Sequence, residues 1–320
     1  MESNQPGLSF STKDRSITPH LALVMVQLLF GTWPIFGKIV LRSISSTSLV
    51  GFRICGAAII LALVQRKLAV LRHLPRRVLA WLILTSLLGV VLNQLLFVKG
   101  LSLTTAINAT LLSTTIPVFT LVVSIALGHD RASVRNLAGI ALAGAGVVYL
   151  VDPFRASFST DNTWGNLLIV VNSFCYGAYI AVSKDLVKKY GALNLITWIF
   201  VIGSVMTLPF AGYAWSVESW EFVPVSVWAS IAYIVLVPTV GAYYLNAWAL
   251  TRLAPSIVSV YIYMQPLIAF GLAPLILGEK IGSRTLVACI LIFAGVAVVT
   301  IRSRSRVIEE ISEHPDAMAH

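Results

Sequence analysis

The chain has 320 residues, of which 58% are hydrophobic and 11% charged, with a mean hydropathy of +0.87. Soluble domains carry about a quarter charged residues because their surface must be solvated, so a water-soluble globular fold is excluded and hydrocarbon is part of the solvent. The formal net charge of +10 does not signal nucleic acid: the Lys and Arg residues sit in short loops between apolar runs, where membrane topology accounts for them, and no nucleic-acid partner is expected.

Residues 1–19 form a polar tail of mixed charge. The first apolar run, 20–41, contains Pro34 and Lys38, lacks a small-residue cleavage site and is too long for a typical signal-peptide core. It is expected to remain as a helix. A span needs about 20 mostly apolar residues, and ten runs qualify: 20–41, 48–65, 78–98, 104–127, 134–151, 164–185, 193–213, 226–250, 255–277 and 284–301. The longest connections, 66–77, 152–163 and 214–225, leave no room for a soluble domain. With the N-terminus inside, sixteen Lys and Arg fall on the inner side and six on the outer, the bias that marks cytoplasmic loops. The expectation is an all-α, multi-pass protein of the bacterial inner (plasma) membrane. Both termini would be cytoplasmic, the C-terminal tail being 302–320.

Arg53 stands about one turn inside the outer end of the second span. It either reaches up to the headgroups or binds a substrate carboxylate. The third span carries Asn93, the fourth Asn108, Ser113 and Thr115, the eighth Tyr243, Tyr244 and Asn246, and the ninth Tyr261 and Gln265. Polar side chains at membrane depth either bond a neighbouring helix or meet a substrate. Arg53, Asn93, Asn108, Thr115, Tyr244, Asn246, Tyr261 and Gln265 are therefore the candidates for the lining of a substrate cavity. Pro117 and Pro266 lie near the middle of their spans and free carbonyls four residues earlier, at Ser113 and Ile262. In hydrocarbon such a break persists only where protein or a water-filled cavity satisfies the freed group, so both prolines point to the bundle interior.

Cys55, Cys175 and Cys289 each lie alone in an apolar run, as small buried side chains rather than a disulfide or metal set. The sequence offers no Ser-His-Asp set, no pair of buried acids and no His/Cys ligand set, so no enzyme activity, catalytic residue, metal or cofactor is expected. No Asp or Glu lies mid-span, which favours facilitated diffusion or exchange over proton coupling. The small residues Gly139, Ala143, Gly144, Ala145 and Gly146 admit a close helix approach. The approaching helix belongs either to the same chain or to a second copy, which would make a homodimer.

The two halves resemble each other. Residues 116–146 lie on 265–295 at one constant offset, which places Pro117 on Pro266, Asp130 on Glu279, Arg131 on Lys280, Arg135 on Arg284 and Gly146 on Gly295. Each half, 20–151 and 164–301, holds five spans, an odd number, so the second half enters the membrane from the opposite side. The repeats are then inverted, an arrangement suited to alternating access. The sets Asp130/Arg135 and Glu279/Arg284 would lie on opposite faces. They read as ion pairs closing tight turns, or as gates whose charges pair differently in two states.

At this level of detail, residues 238–299 resemble the second repeat of the EamA-type, ten-helix branch of the drug/metabolite transporter superfamily. The resemblance runs through Asn246, Ala249-Leu250, Ala254, Pro266, Gly278-Glu279 and Gly295. The first repeat matches more loosely through Gly31, Lys38, Arg53, Pro117 and Gly146. Phe30-Gly31 stands where many members have Trp-Gly, and His129-Asp130 where many have Gly-Glu. The resemblance covers about 20–301. It implies export or exchange of a small-molecule substrate such as an amino acid across the lipid bilayer, through a central cavity lined mainly by helices three, four, eight and nine. A cation would call for a buried acid and a phosphate for several buried bases, so neutral or zwitterionic metabolites fit best. Nucleotide sugars, drug-like compounds, and a channel or receptor are the alternatives.

Overall fold

In lipid, a long apolar run can satisfy its own backbone only as a helix, and the computed structural model is built that way. It describes residues 17–65, 74–127, 134–151, 161–253, 258, 261–295 and 298, and among these no strand occurs. In chain order the helices are α1 (Thr18–Val40) and α2 (Ser46–Gln65), α3 (Arg76–Leu103) and α4 (Ala106–Ala126). Next come α5 (Val134–Val151), α6 (Asp161–Tyr190) and α7 (Ala192–Val217), then α8 (Val225–Leu250), α9 (Tyr261–Leu277) and α10 (Ser283–Gly295). Seven of them, α1 to α4 and α6 to α8, are long and apolar enough to cross a membrane, while the apolar stretches of α5, α9 and α10 are shorter. Asp130 and Arg131 lie outside the described residues, and so does the side chain of Arg135.

The boundaries follow local chemistry. Pro75 and Pro224 immediately precede α3 and α8, where a missing N–H does no harm. Gly191 alone separates α6 from α7, with φ 84°, and Gly278 closes α9 at φ 70° in a left-handed cap. Both are conformations that a Cβ would disfavour.

Four interruptions inside the helices position the rest. α3 widens to a π-helical turn at Leu87–Leu92, and α8 does the same at Val235–Gly241, around Pro238. α4 breaks at Thr114 and Thr115, just before Ile116-Pro117. α9 opens with a 3-10 turn, Tyr261–Met264, just before Gln265-Pro266. Proline removes a donor and crowds the carbonyl four residues back; π-turns inside helices are rare and cluster at functional sites.

The interior is largely apolar, but the division of polar and apolar side chains differs from that of a soluble protein. Arg53, Gln27, Gln94, Asn172 and Asn246 are buried, while Val205, Phe210, Leu267, Leu275 and Ile290 are among the exposed side chains. That is the distribution expected where the outer solvent is hydrocarbon. α2 packs along α7, α1 against α8 and α9, and α6 against α3 and α4. The small-residue stripe of α5 meets α10. A Cβ on Gly295 would lie 2.6 Å from the Gly139 carbonyl and against Ala143 N, and one on Gly146 would lie 3.0 Å from Ile292 N. A helix of the same chain thus takes the Gly139 and Gly146 side of the stripe, leaving Gly144 facing open space.

Candidate functional site

The interruptions surround one central cavity. It is lined by Gln27, Phe30 and Trp33 of α1, Arg53 of α2, Asn93 and Phe97 of α3, and Ser113 and Ile116 of α4. Asn172, Tyr176 and Ile180 of α6, Tyr243 and Asn246 of α8, Val258, and Ile262 and Gln265 of α9 line it as well. The space open to the centre of a water-sized sphere is about 70 Å³, against roughly 10–15 Å³ for a single water. Several waters or one small solute fit.

Each wall owes its polar groups to the local backbone. The π-turn of α3 ends at Asn93, whose backbone carbonyl accepts from Asn172 Nδ2 (2.6 Å) and whose Oδ1 accepts from the Tyr243 hydroxyl (3.0 Å). The same hydroxyl lies 3.3 Å from the Gly89 carbonyl inside that turn. Asn246 Nδ2 faces the Tyr176 hydroxyl at 3.4 Å, and Gln265 Nε2 donates to Gln27 Oε1 at 2.7 Å, tying α9 to α1. Ser113 and Ile262, whose carbonyls the two prolines release, are both lining residues.

Arg53 is 3% exposed, so it turns into the bundle instead of reaching for headgroups. Its Nε donates to Thr239 Oγ1 (3.1 Å), on the π-turn of α8. Its guanidinium carbon lies 3.8 Å from the centroid of the Trp33 ring, close enough for a cation–π contact. Among the described residues, no carboxylate lies within ion-pair reach of it.

Of the sequence candidates, Arg53, Asn93, Asn246 and Gln265 line this cavity, and Asn108, Thr115, Tyr244 and Tyr261 do not. Thr115 is buried and returns its hydroxyl to the Leu112 carbonyl (2.7 Å), at the start of the second half of α4. Asn108 Oδ1 faces Thr285 Oγ1 of α10 at 3.4 Å, Tyr261 hydrogen-bonds His20 (2.7 Å), and Tyr244 is 36% exposed. Gln27, Asn172 and Tyr176 are lining residues that the sequence reading passed over. The signal for Gln27 and Asn172 is the one that singles out Asn93, an amide inside an apolar run, applied to α1 and α6.

The charged sets at the helix ends are arranged differently. Glu279 accepts from the N–H groups of Ala106 (2.7 Å) and Ile107 (3.0 Å), capping the N-terminus of α4, where the helix dipole favours an anion. It shares a cleft with Lys38 and Arg42. Arg284 Nε donates to the Tyr149 carbonyl (2.8 Å) near the end of α5.

A model of the EamA-like transporter family matches this chain twice, over residues 18–151 and 163–301. An uncharacterized transporter of Archaeoglobus fulgidus is 30% identical over 285 residues, covering 88% of this chain and 96% of that protein. A probable terminal-alkyne amino-acid exporter of Streptantibioticus cattleyicolor is 26% identical over 255 residues, 79% of this chain and 84% of the exporter. One protein of known crystal structure superimposes with a TM-score of 0.62 at 20% identity, over 90% of this chain and 98% of the other, and so shares the fold.

Proposed function

The chain belongs to the EamA-like transporter family, and from that premise we propose that it moves small neutral or zwitterionic metabolites, amino acids foremost, across the bacterial inner membrane by alternating access. The observation that carries this reading is the central cavity, with a polar and aromatic lining at the level of four helix interruptions. Irregular backbone at membrane depth is tolerated where it lines a cavity, and transporters place their sites at such breaks.

Ten spans in two inverted five-helix repeats, 20–151 and 164–301, give the cavity its symmetry. The offset that lays Pro117 on Pro266 also lays the break of α4 on that of α9 and pairs Ser113 with Ile262, Ile116 with Gln265 and Phe97 with Asn246, all six lining residues. The π-turns of α3 and α8 correspond at nearly the same offset, and the equivalent glycines both sit in the α5–α10 crossing, Gly146 against Leu291 and Ile292 and Gly295 against Gly139 and Ala143. Two equivalent halves around one site can rock between states of similar energy. With both termini cytoplasmic, Glu279 lies on the outer face, as a helix cap and as one element of an outer gate. The amino-acid exporter among the relatives supports the substrate class, and no chemical step on the solute is part of the reading.

The test is a thermal-shift screen of the purified protein against amino acids, nucleosides and sugars, followed by counterflow in proteoliposomes with any compound that stabilises it. Asn246→Ala and Gln265→Ala are expected to abolish stabilisation by that compound while the protein remains monodisperse. Variants that respond like the wild type would move the site elsewhere, and flux that never saturates and shows no counterflow would make the protein a channel.

A further inference from the structure

Among the described residues that line the cavity, Arg53 alone is charged. A guanidinium has five N–H donors in a planar fork; here Nε is spent on a neutral hydroxyl, one face lies on Trp33, and the other donors have no partner among the described residues. No carboxylate among them balances the charge. Between the offset that lays Gly31 on Gly177 and the one that lays Pro117 on Pro266, the positions equivalent to Arg53 are Ile199, Phe200, Val201 and Ile202, none of them charged, so the positive charge sits on one wall of an otherwise pseudo-symmetric site.

A buried ion without a counter-ion is unfavourable, and pairing it with one opposite charge in good geometry removes most of the penalty. Every crossing of an alternating-access carrier passes through a closed intermediate in which the cavity is cut off from water. With an empty site, Arg53 would be shut in unneutralised; with a bound carboxylate, bidentate pairing would cancel its charge. The closed intermediate is therefore reached more easily loaded than empty.

We propose that Arg53 anchors the carboxylate of the substrate and that its charge, neutralised only by that ligand, slows the return of the empty carrier, so the protein exchanges one carboxylate-bearing solute for another. This rests on the transporter reading and adds to it the charge of the solute and the mode of coupling. The rest of the solute lies among Phe30, Trp33, Phe97 and Ile180, which suits a short apolar tail.

Three compounds of one skeleton separate the charges: L-leucine, isoamylamine, which lacks the carboxylate, and 4-methylpentanoate, which lacks the amine. L-leucine and 4-methylpentanoate are expected to raise the melting temperature of the wild type, and isoamylamine to leave it unchanged. Labelled L-leucine should enter proteoliposomes preloaded with L-leucine at least about tenfold faster than empty ones, a ratio that a small part of the burial penalty suffices to produce. Arg53→Gln should abolish the ligand response while melting at or above the wild type without ligand, because it removes an unpaired buried charge. Arg53→Lys, which keeps the charge and loses the fork, should bind more weakly and keep the preference for preloaded vesicles. Isoamylamine acting as well as L-leucine, no response to either carboxylate, equal rates into empty and preloaded vesicles, or an Arg53→Gln protein that melts several degrees lower would each overturn the proposal. Saturable counterflow of an uncharged solute, unaffected by Arg53→Gln, would overturn it and leave the transporter reading standing.

Discussion

Glu279 and Arg53 are both charged side chains packed between helices, and the structure surrounds them in opposite ways. Glu279 has both carboxylate oxygens taken by backbone N–H groups of α4, with Lys38 and Arg42 along the same cleft. Arg53 makes one hydrogen bond to a neutral hydroxyl and rests on an indole. The contrast extends beyond these two. Toward the helix ends, Glu218 accepts from Ser45 and Ser48 and Arg284 donates to the Tyr149 carbonyl. Toward the centre, Pro117 and Pro266 remove the i→i+4 donors of the Ser113 and Ile262 carbonyls and the helices re-form around 3-10 or turn geometry there. Saturated groups at the ends hold the scaffold together. The spare donors of Arg53 at the centre lower stability and are what a passing solute requires.

The comparison breaks most visibly in the scaffold. A methyl group on Gly295 would meet the Gly139 carbonyl at 2.6 Å, backbone against backbone, where no side chain can swing away. Gly295→Ala is expected to destabilise by about 3 kcal/mol or more, seen as loss of the monodisperse peak on size exclusion. Gly144→Ala, on the same α5 stripe but facing open space, should melt like the wild type. A tolerant Gly295 would mean that the α5–α10 crossing is looser than its geometry. Next in size is Glu279→Gln, which keeps the shape and removes the charge from the cap of α4. It should lower stability by about 1–2 kcal/mol, where the neutral variant at Arg53 lowers none. If both variants fall alike, ends and centre are not different kinds of site.

The helices were legible because hydrocarbon imposes a long apolar run, and each expected run holds a helix among its described residues. The ends were less so. The run at 164–185 lies inside α6, which extends from Asp161 to Tyr190, since hydropathy marks the apolar middle of a helix and not its polar turns. In the cavity, Arg53, Asn93, Asn246 and Gln265 stood out as polar residues in apolar surroundings. The interruptions hide which polar residues turn inward, because regular helical spacing does not run through them. Asn108 and Thr115 share a face only if α4 is continuous, and it breaks at Thr114 and Thr115. Likewise the π-turn at Val235–Gly241 rotates the later residues of α8 about its axis, and Tyr243 lines the cavity where Tyr244 does not.

The smallest and most informative difference lies between the two ends of the α2–α7 pair. At one end Glu218, just past α7, accepts from Ser45 Oγ (2.9 Å), Ser48 Oγ (2.6 Å) and Ser45 N (3.2 Å), covering the N-terminus of α2 with an anion. At the other, Gln65 Nε2 donates to Asn194 Oδ1 near the start of α7 (2.6 Å), a neutral pair. Hydrogen bonds to a charged group contribute about 1.5–3 kcal/mol and neutral ones about 0.5–1.5 kcal/mol, with the exposed Ser45 contacts at the low end. Glu218→Gln should therefore lower stability by about 1 kcal/mol and Gln65→Ala by about half as much. With the proposed orientation, the charged closure is outside and the neutral one faces the cytoplasm. A single cysteine placed at Ile180 in a cysteine-free background reads this out. Glu218→Gln should raise its labelling by an impermeant maleimide applied outside, and Gln65→Ala should raise it from the cytoplasmic side of inverted vesicles. If Gln65→Ala proves the more damaging to stability, or if each variant opens the opposite side, the charged cap is not the firmer latch and the two ends have exchanged roles.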